Sequence, residues 1–209
     1  LDDREIDGLI QQAAAGDSSA WTTLVNRYRP MLRNMLILRM DGRLAGRVDP
    51  SDIIQDASLA AVQRIGEYSA RPDVPFYIWL RQLTLQKFVD TVRRHVATLA
   101  RDIQRDVSLD EGPESSSSSS AIIAAHLIDR FPTPANAAVK LETTHRLRET
   151  LEQLGPLDRE ILALRHFEQL SNSDAARVCG LSESACSKRY ARAIVRLRDA
   201  LVAAGISLP

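Results

Sequence analysis

NSDAARVCGLSESACSKRYA, residues 172–191, reads as two short helices crossing at a tight turn. A helix-turn-helix needs a small residue where its helices cross, and Ala176 stands there. It needs a turn residue that tolerates positive φ, and Gly180 follows four positions later. It needs an apolar residue on the inner face of the second helix, and Cys186 lies six after the glycine. Leu181 plugs the turn and Ser182 caps the second helix. Outward, Ser184, Ser187, Lys188 and Arg192 recur at spacings of three and four, and Arg196 and Arg198 extend the positive strip. Small polar side chains and cations suit base edges and phosphates of a major groove. A solvated cationic face that only compensates the helix dipole would explain the last arginines. It would not explain the Ser/Lys cluster at the helix start.

The residues before this unit are also helical. Leu141, Thr144, Leu147, Leu151 and Leu154 form a stripe at helical spacing, which Gly155-Pro156 stops. Asp158 is expected to cap a helix that buries Ile161, Leu162, Leu164 and Phe167. A short helix over about 172–178 and a last one over about 183–203 complete this half. Upstream, Asp110-Glu111-Gly112-Pro113-Glu114 runs into six serines, Ser115 to Ser120, with nothing to bury. An apolar segment, 121–128, then precedes Phe131-Pro132-Thr133-Pro134 and can form a short docking helix. The composition predicts a linker over 97–138, flexible at its serines.

The N-terminal half reads as helices throughout. Ile6, Leu9, Ile10 and Ala13 share one face of a first helix that Gly16 ends. Asp17 or Ser18 caps the next, with Trp21, Leu24, Val25 and Tyr28 inward. Pro30 predicts a kink or break, Met31 to Met40 continue the apolar face, and Asp41-Gly42 closes it. Ser51 is expected to cap a helix running to about Ile65, with Asp52 in its first turn. Gly66 to Pro75 predicts a loop, and a long helix follows from Phe76 to about Val96, with Trp79, Leu80, Leu83, Phe88 and Val92 inward. The expected fold is all-α. Two small helical domains, 1–96 and 139–209, flank the linker, and the second contains the helix-turn-helix.

Net charge is zero, with 27 basic and 27 acidic residues, which argues against strong DNA binding by the protein alone. The distribution is uneven. Residues 97–138 carry 3 Lys/Arg against 6 Asp/Glu, whereas 139–209 carry 11 against 9. No apolar run approaches the ~18 residues of a membrane span. The start, Leu1-Asp2-Asp3-Arg4-Glu5, lacks the basic and apolar segments of a signal peptide. A Leu rather than a Met at position 1 is what a missing true start would leave. Cys179 and Cys186 are expected to be reduced, packed thiols, which with the other signals points to the cytoplasm. The four histidines are scattered, and neither a phosphate-binding glycine loop nor a metal-ligand spacing occurs, so neither an enzyme nor a cofactor or metal site is expected.

At this point the sequence resembles a family. Leu157-Asp158-Arg159-Glu160-Ile161-Leu162-Ala163-Leu164-Arg165, then Leu170-Ser171, Ala175-Ala176 and Gly180-Leu181-Ser182, are similar to the −35-reading domain of extracytoplasmic-function (ECF) RNA polymerase sigma factors of the sigma-70 family. The closing stretch from Arg189 to Ala193, with Arg196-Leu197-Arg198, fits the same domain. Independently, Asp52-Ile53-Ile54-Gln55-Asp56-Ala57 resembles the family's polymerase-binding helix. Phe76, Trp79-Leu80 and Asp90 to Arg94 resemble the helix that meets the −10 element. Between Ser182 and Arg189 the family more often has Gly-Thr-Val-Lys-Ser, so the −35 sequence cannot be borrowed from better-known members.

The resemblance implies a sigma factor that binds core RNA polymerase through its β′ and β subunits and directs promoter recognition, −10 melting and initiation. Asp52, Gln55 and Asp56 would face β′. Tyr68 and Ser69, in the expected loop, would hold a flipped base of promoter DNA, while Lys87, Arg93 and Arg94 track phosphates. Phe76 and Trp79 are read as core residues rather than melting wedges. Ser184, Ser187, Lys188, Arg189, Arg192 and Arg196 would meet the −35 element. An anti-sigma factor is implied by family alone. The competing reading is a stand-alone helix-turn-helix regulator with an N-terminal ligand or dimerisation domain, which would bind a palindromic operator tightly without polymerase.

Overall fold

The computed structural model describes residues 2–40, 48–103, 120, 123–124 and 137–203, which are helical apart from their connections. The Asp41-Gly42 stop, the stretch from Asp110 to Ser119 and the Phe131 to Pro134 break lie outside the described residues. So does the side chain of Leu141. The helices are α1 (Asp3–Ala14), α2 (Ser18–Arg39), α3 (Pro50–Ala70), α4 (Phe76–Ile103), α5 (Ala137–Gln153), α6 (Pro156–His166), α7 (Asn172–Val178) and α8 (Glu183–Ala203). They fall into two compact units, the first built on α1, α3, α4 and most of α2, the second on α5 to α8.

In the first unit, Asp2 and Glu5 form a reciprocal capping box that starts α1. Gly16, at φ 97°, turns the chain, and the Asp17 carboxylate accepts from the amides of Ser19 and Ala20 to start α2. Three expectations are corrected here. First, α2 runs through Pro30, which removes the break, though not the kink, expected there. Pro30 is exposed, so the carbonyl it leaves without a helical donor is open to water. Second, Asp49 rather than Ser51 caps α3: its carboxylate accepts from the Ser51 amide at 2.8 Å, and Pro50 takes the first helical position, where its missing N–H costs nothing.

Third, α3 continues past Gly66 to Ala70. Ile65 and Tyr68 are both buried, and their packing outweighs the roughly 1 kcal/mol that an interior glycine costs. The loop shrinks to residues 71–75. Phe76 is the hub of the aromatic core that α4 presents, with ring centroids 5.7 Å from both Tyr28 and Tyr68, 6.3 Å from Trp21 and 5.6 Å from Trp79. Trp79 also stacks on Tyr68 at 4.7 Å. Both residues serve the core, as read from the sequence.

In the second unit, Leu147, Leu151 and Leu154 pack against Leu162, Ala163 and Phe167 and against Ala193 and Leu197 of α8. Ile123 and Ala124 join this cluster from the linker side, 3% and 0% exposed, and Ser120 is fully buried too. These three helical residues have the i, i+3, i+4 spacing of one helix face. Ile123 and Ala124 of the linker therefore belong to the core of this unit. The start of α6 is corrected as well. Gly155 occupies the cap position without a side-chain bond, and Asp158 lies inside the first turn.

Candidate nucleic-acid and polymerase interface

Helices α7 and α8 build the crossing that the sequence led us to expect. Ala175 and Ala176 are 0% and 1% exposed at the contact, and Cys186 is fully buried opposite them. Gly180 adopts φ 64°, where a side chain is strained. The Leu181 amide donates to the Ala176 carbonyl at 2.9 Å, and the Ser182 hydroxyl accepts from the Ala185 amide to start α8. The Asn172 side chain ties the two helix starts by donating to the Glu183 carbonyl at 3.0 Å. Burial pushes the Cys186 thiol up, with nearby Arg165 pulling the other way, so it packs as a neutral apolar group.

This frame leaves Ser184, Ser187, Lys188, Arg192 and Arg196 exposed on α8. Arg189 differs. Its guanidinium is half-buried and donates to the Asp158 carboxylate at 2.8 Å, pinning α8 to α6. Its Nη1 donor is engaged by a carboxylate only 14% exposed, whereas the arginine side chain itself is 37% exposed. The same seam holds Tyr190, whose ring stacks on His166 and lies under Arg165, with its hydroxyl 3.1 Å from His166 Nε2. Arg198 pairs with Asp199.

In the first unit, Asp52, Gln55 and Asp56 are exposed on one face of α3, followed at the same spacing by Leu59, which is 57% exposed. The polar residues were read from the sequence; the exposed leucine among them was not. Its position one turn beyond Asp56 was the signal available. Gln55 opens onto a groove of about 200 Å³ with Trp21, Asn26 and Arg29 of α2. Asp56 opens onto another, of about 460 Å³, with Gln63 and with Lys87, Asp90 and Arg94 of α4. The fold thus brings Lys87 and Arg94 beside Asp56. Arg93 is exposed but does not line this groove.

Tyr68 and Ser69 lie elsewhere, in a pocket of about 220 Å³ closed by Pro72 and by Asp7, Ile10 and Gln11 of α1. Tyr68 is a buried wall of this pocket, not a projecting loop residue: it is 7% exposed, and its hydroxyl donates to the Val74 carbonyl at 2.8 Å. Burial, then the Asp7 carboxylate, pushes that hydroxyl up to about 12, so the donor stays protonated. The contribution of α1 was not visible in the sequence, because nothing local links residues 7–11 with 68–72.

Among the described residues no helix is long and apolar enough to cross a membrane. Residues 24–98 match the family model for Sigma-70 region 2, and residues 144–197 match Sigma-70, region 4. The chain is 27% identical over 203 residues to the ECF RNA polymerase sigma factor SigD of Mycobacterium tuberculosis, covering 96% of this chain and 85% of the relative. It is 29% identical to the RNA polymerase sigma factor CnrH of Cupriavidus metallidurans, covering 90% of each. The solved structure of CnrH in complex with the cytosolic domain of CnrY superposes with a TM-score of 0.54 at 24% identity, over 95% of this chain and 98% of that one, a likeness of fold.

Proposed function

We propose how a chain that belongs to the sigma-70 family, as an ECF sigma factor directing promoter recognition, divides that work among its surfaces. The outer face of α3, Asp52, Gln55, Asp56 and Leu59, docks on the β′ subunit of core polymerase: the polar groups give orientation and Leu59 gives apolar contact. The segment 71–75 and the pocket beside it capture unpaired bases of the −10 element. Lys87 and Arg94 in their groove, with Arg93 nearby, follow the phosphates. On α8, Ser184, Ser187, Lys188, Arg192 and Arg196 meet the −35 element, and Arg189 holds that helix in place.

The observation that carries this reading is the pairing of an exposed Ser/Lys/Arg face on α8 with an exposed carboxylate-amide-leucine face on α3 in a chain of zero net charge. Neither DNA module binds tightly by itself, and polymerase supplies the effective concentration that couples them. A stand-alone regulator that binds its operator tightly without polymerase would need a stronger positive field. The role is binding rather than catalysis, and it is exercised in the cytoplasm, where polymerase is. An anti-sigma protein is a fitting regulator, since CnrH has been solved with the cytosolic domain of CnrY. Competition binding to core polymerase tests the assignment: a Gln55→Ala/Asp56→Ala variant should lose core affinity while its helix content and melting temperature stay unchanged. Retained affinity would remove α3 from the interface.

A further inference from the structure

We propose that Asp7 and Gln11 of α1 read one unpaired base in the pocket beside Ser69, selecting a base that carries an exocyclic amino group and rejecting thymine. This rests on the reading of that pocket as part of the −10 site, and extends it to a helix that lies outside the region 2 match of residues 24–98. At about 220 Å³ the pocket is smaller than the roughly 300–1,000 Å³ of a drug-sized ligand site and on the scale of one base. Its walls suit a flat ring: Tyr68, Ile10 and Pro72 are apolar. It is also preformed, because Tyr68 is clamped between Trp79 and the Val74 carbonyl.

The polar groups decide which base fits. Asp7 and Gln11 stand at i and i+4, one turn apart on the same face of α1, and both are exposed. Neither side chain is engaged in a hydrogen bond or ion pair with another described residue. A carboxylate only accepts hydrogen bonds. It therefore welcomes the exocyclic amino group of cytosine, adenine or guanine, whereas thymine offers only N3–H, flanked on both sides by carbonyl oxygens that a carboxylate repels. The Gln11 amide both donates and accepts, so it complements the neighbouring edge atom of an amino-bearing base.

The test uses holoenzyme formed from the full chain and bacterial core polymerase, offered a promoter library randomised across both elements; open complexes are sequenced. Wild type should disfavour thymine at one non-template −10 position by about fivefold or more, within the range for a good base contact. Asp7→Asn, which offers both a donor and an acceptor, should bring that ratio close to one while other positions and core affinity hold. Gln11→Ala should weaken the ratio less. A ratio that Asp7→Asn leaves intact, or a loss spread equally over all sequences, would overturn the inference. Ser69→Trp, which fills the pocket, separates this from the parent reading: if it too leaves open-complex formation untouched, the pocket is not part of the −10 site at all.

Discussion

The guanidinium of Arg189 sits 2.8 Å from the carboxylate of Asp158, an α8-to-α6 tie that holds the helix carrying the exposed Ser/Lys/Arg face. Arg189→Ala and Asp158→Asn should therefore lower the stability of the C-terminal unit by similar amounts. Their double-mutant cycle should give a coupling of about 1 kcal/mol, at the upper end for a partly exposed pair. Both should leave the preferred −35 sequence unchanged. A change of base preference with Arg189→Ala but not Asp158→Asn would return Arg189 to the DNA face.

The exposed cations of α8 should behave as phosphate contacts. Lys188→Ala, Arg192→Ala and Arg196→Ala should each weaken promoter binding by the holoenzyme across all −35 sequences and reduce the salt dependence by about one unit of log–log slope. Exchanges at Ser184 or Ser187 should instead shift the preferred bases. Binding curves across a salt series, with a −35 library, separate the two behaviours.

Tyr68 makes a pH-dependent contribution. Its folded value, about 12, lies above the ordinary 10.0, so the folded state holds its proton more tightly. The associated stabilisation is fully present below pH 10, declines between pH 10 and about 12 and is lost above that. Tyr68→Phe should remove this alkaline step and, by leaving the Val74 carbonyl without its donor, cost about 1 kcal/mol at neutral pH. Denaturant melts at a series of alkaline pH values check both parts.

Ile123 tests the boundary of the C-terminal unit. It is 3% exposed in the same cluster as Leu151 and Phe167, so Ile123→Ala should destabilise that unit by about 2–5 kcal/mol. A fragment starting at residue 137 should likewise melt below one starting at 118. Equal melting temperatures would detach the linker residues from the core.

The parts of this fold that were legible in the sequence are those governed by local rules. Gly180, Ala176 and Ser182 announced the turn, the crossing and the cap, because positive φ, close approach and an orphan amide each admit few residue types. The failures come from tertiary packing overriding a local signal. Gly66 looked like the start of a loop, yet the burial of Ile65 and Tyr68 carries α3 four residues further. Pro30 looked like a break, yet its exposed position makes the lost hydrogen bond cheap. Asp158 had the chemistry of a cap and is used as a counterion, which depends on a residue 31 positions away. The α1 wall of the pocket beside Ser69 depends in the same way on contacts over some sixty residues, as read from positions 7 and 68.

Promoter-directed transcription in vitro, with bacterial core polymerase and with or without this chain, tests the central claim most directly when run beside the Gln55→Ala/Asp56→Ala variant. Initiation that requires the wild-type chain, with the variant failing at core binding, is the expected result. A chain that leaves core polymerase inert and instead shifts duplex DNA by itself would contradict the account and make it a stand-alone regulator.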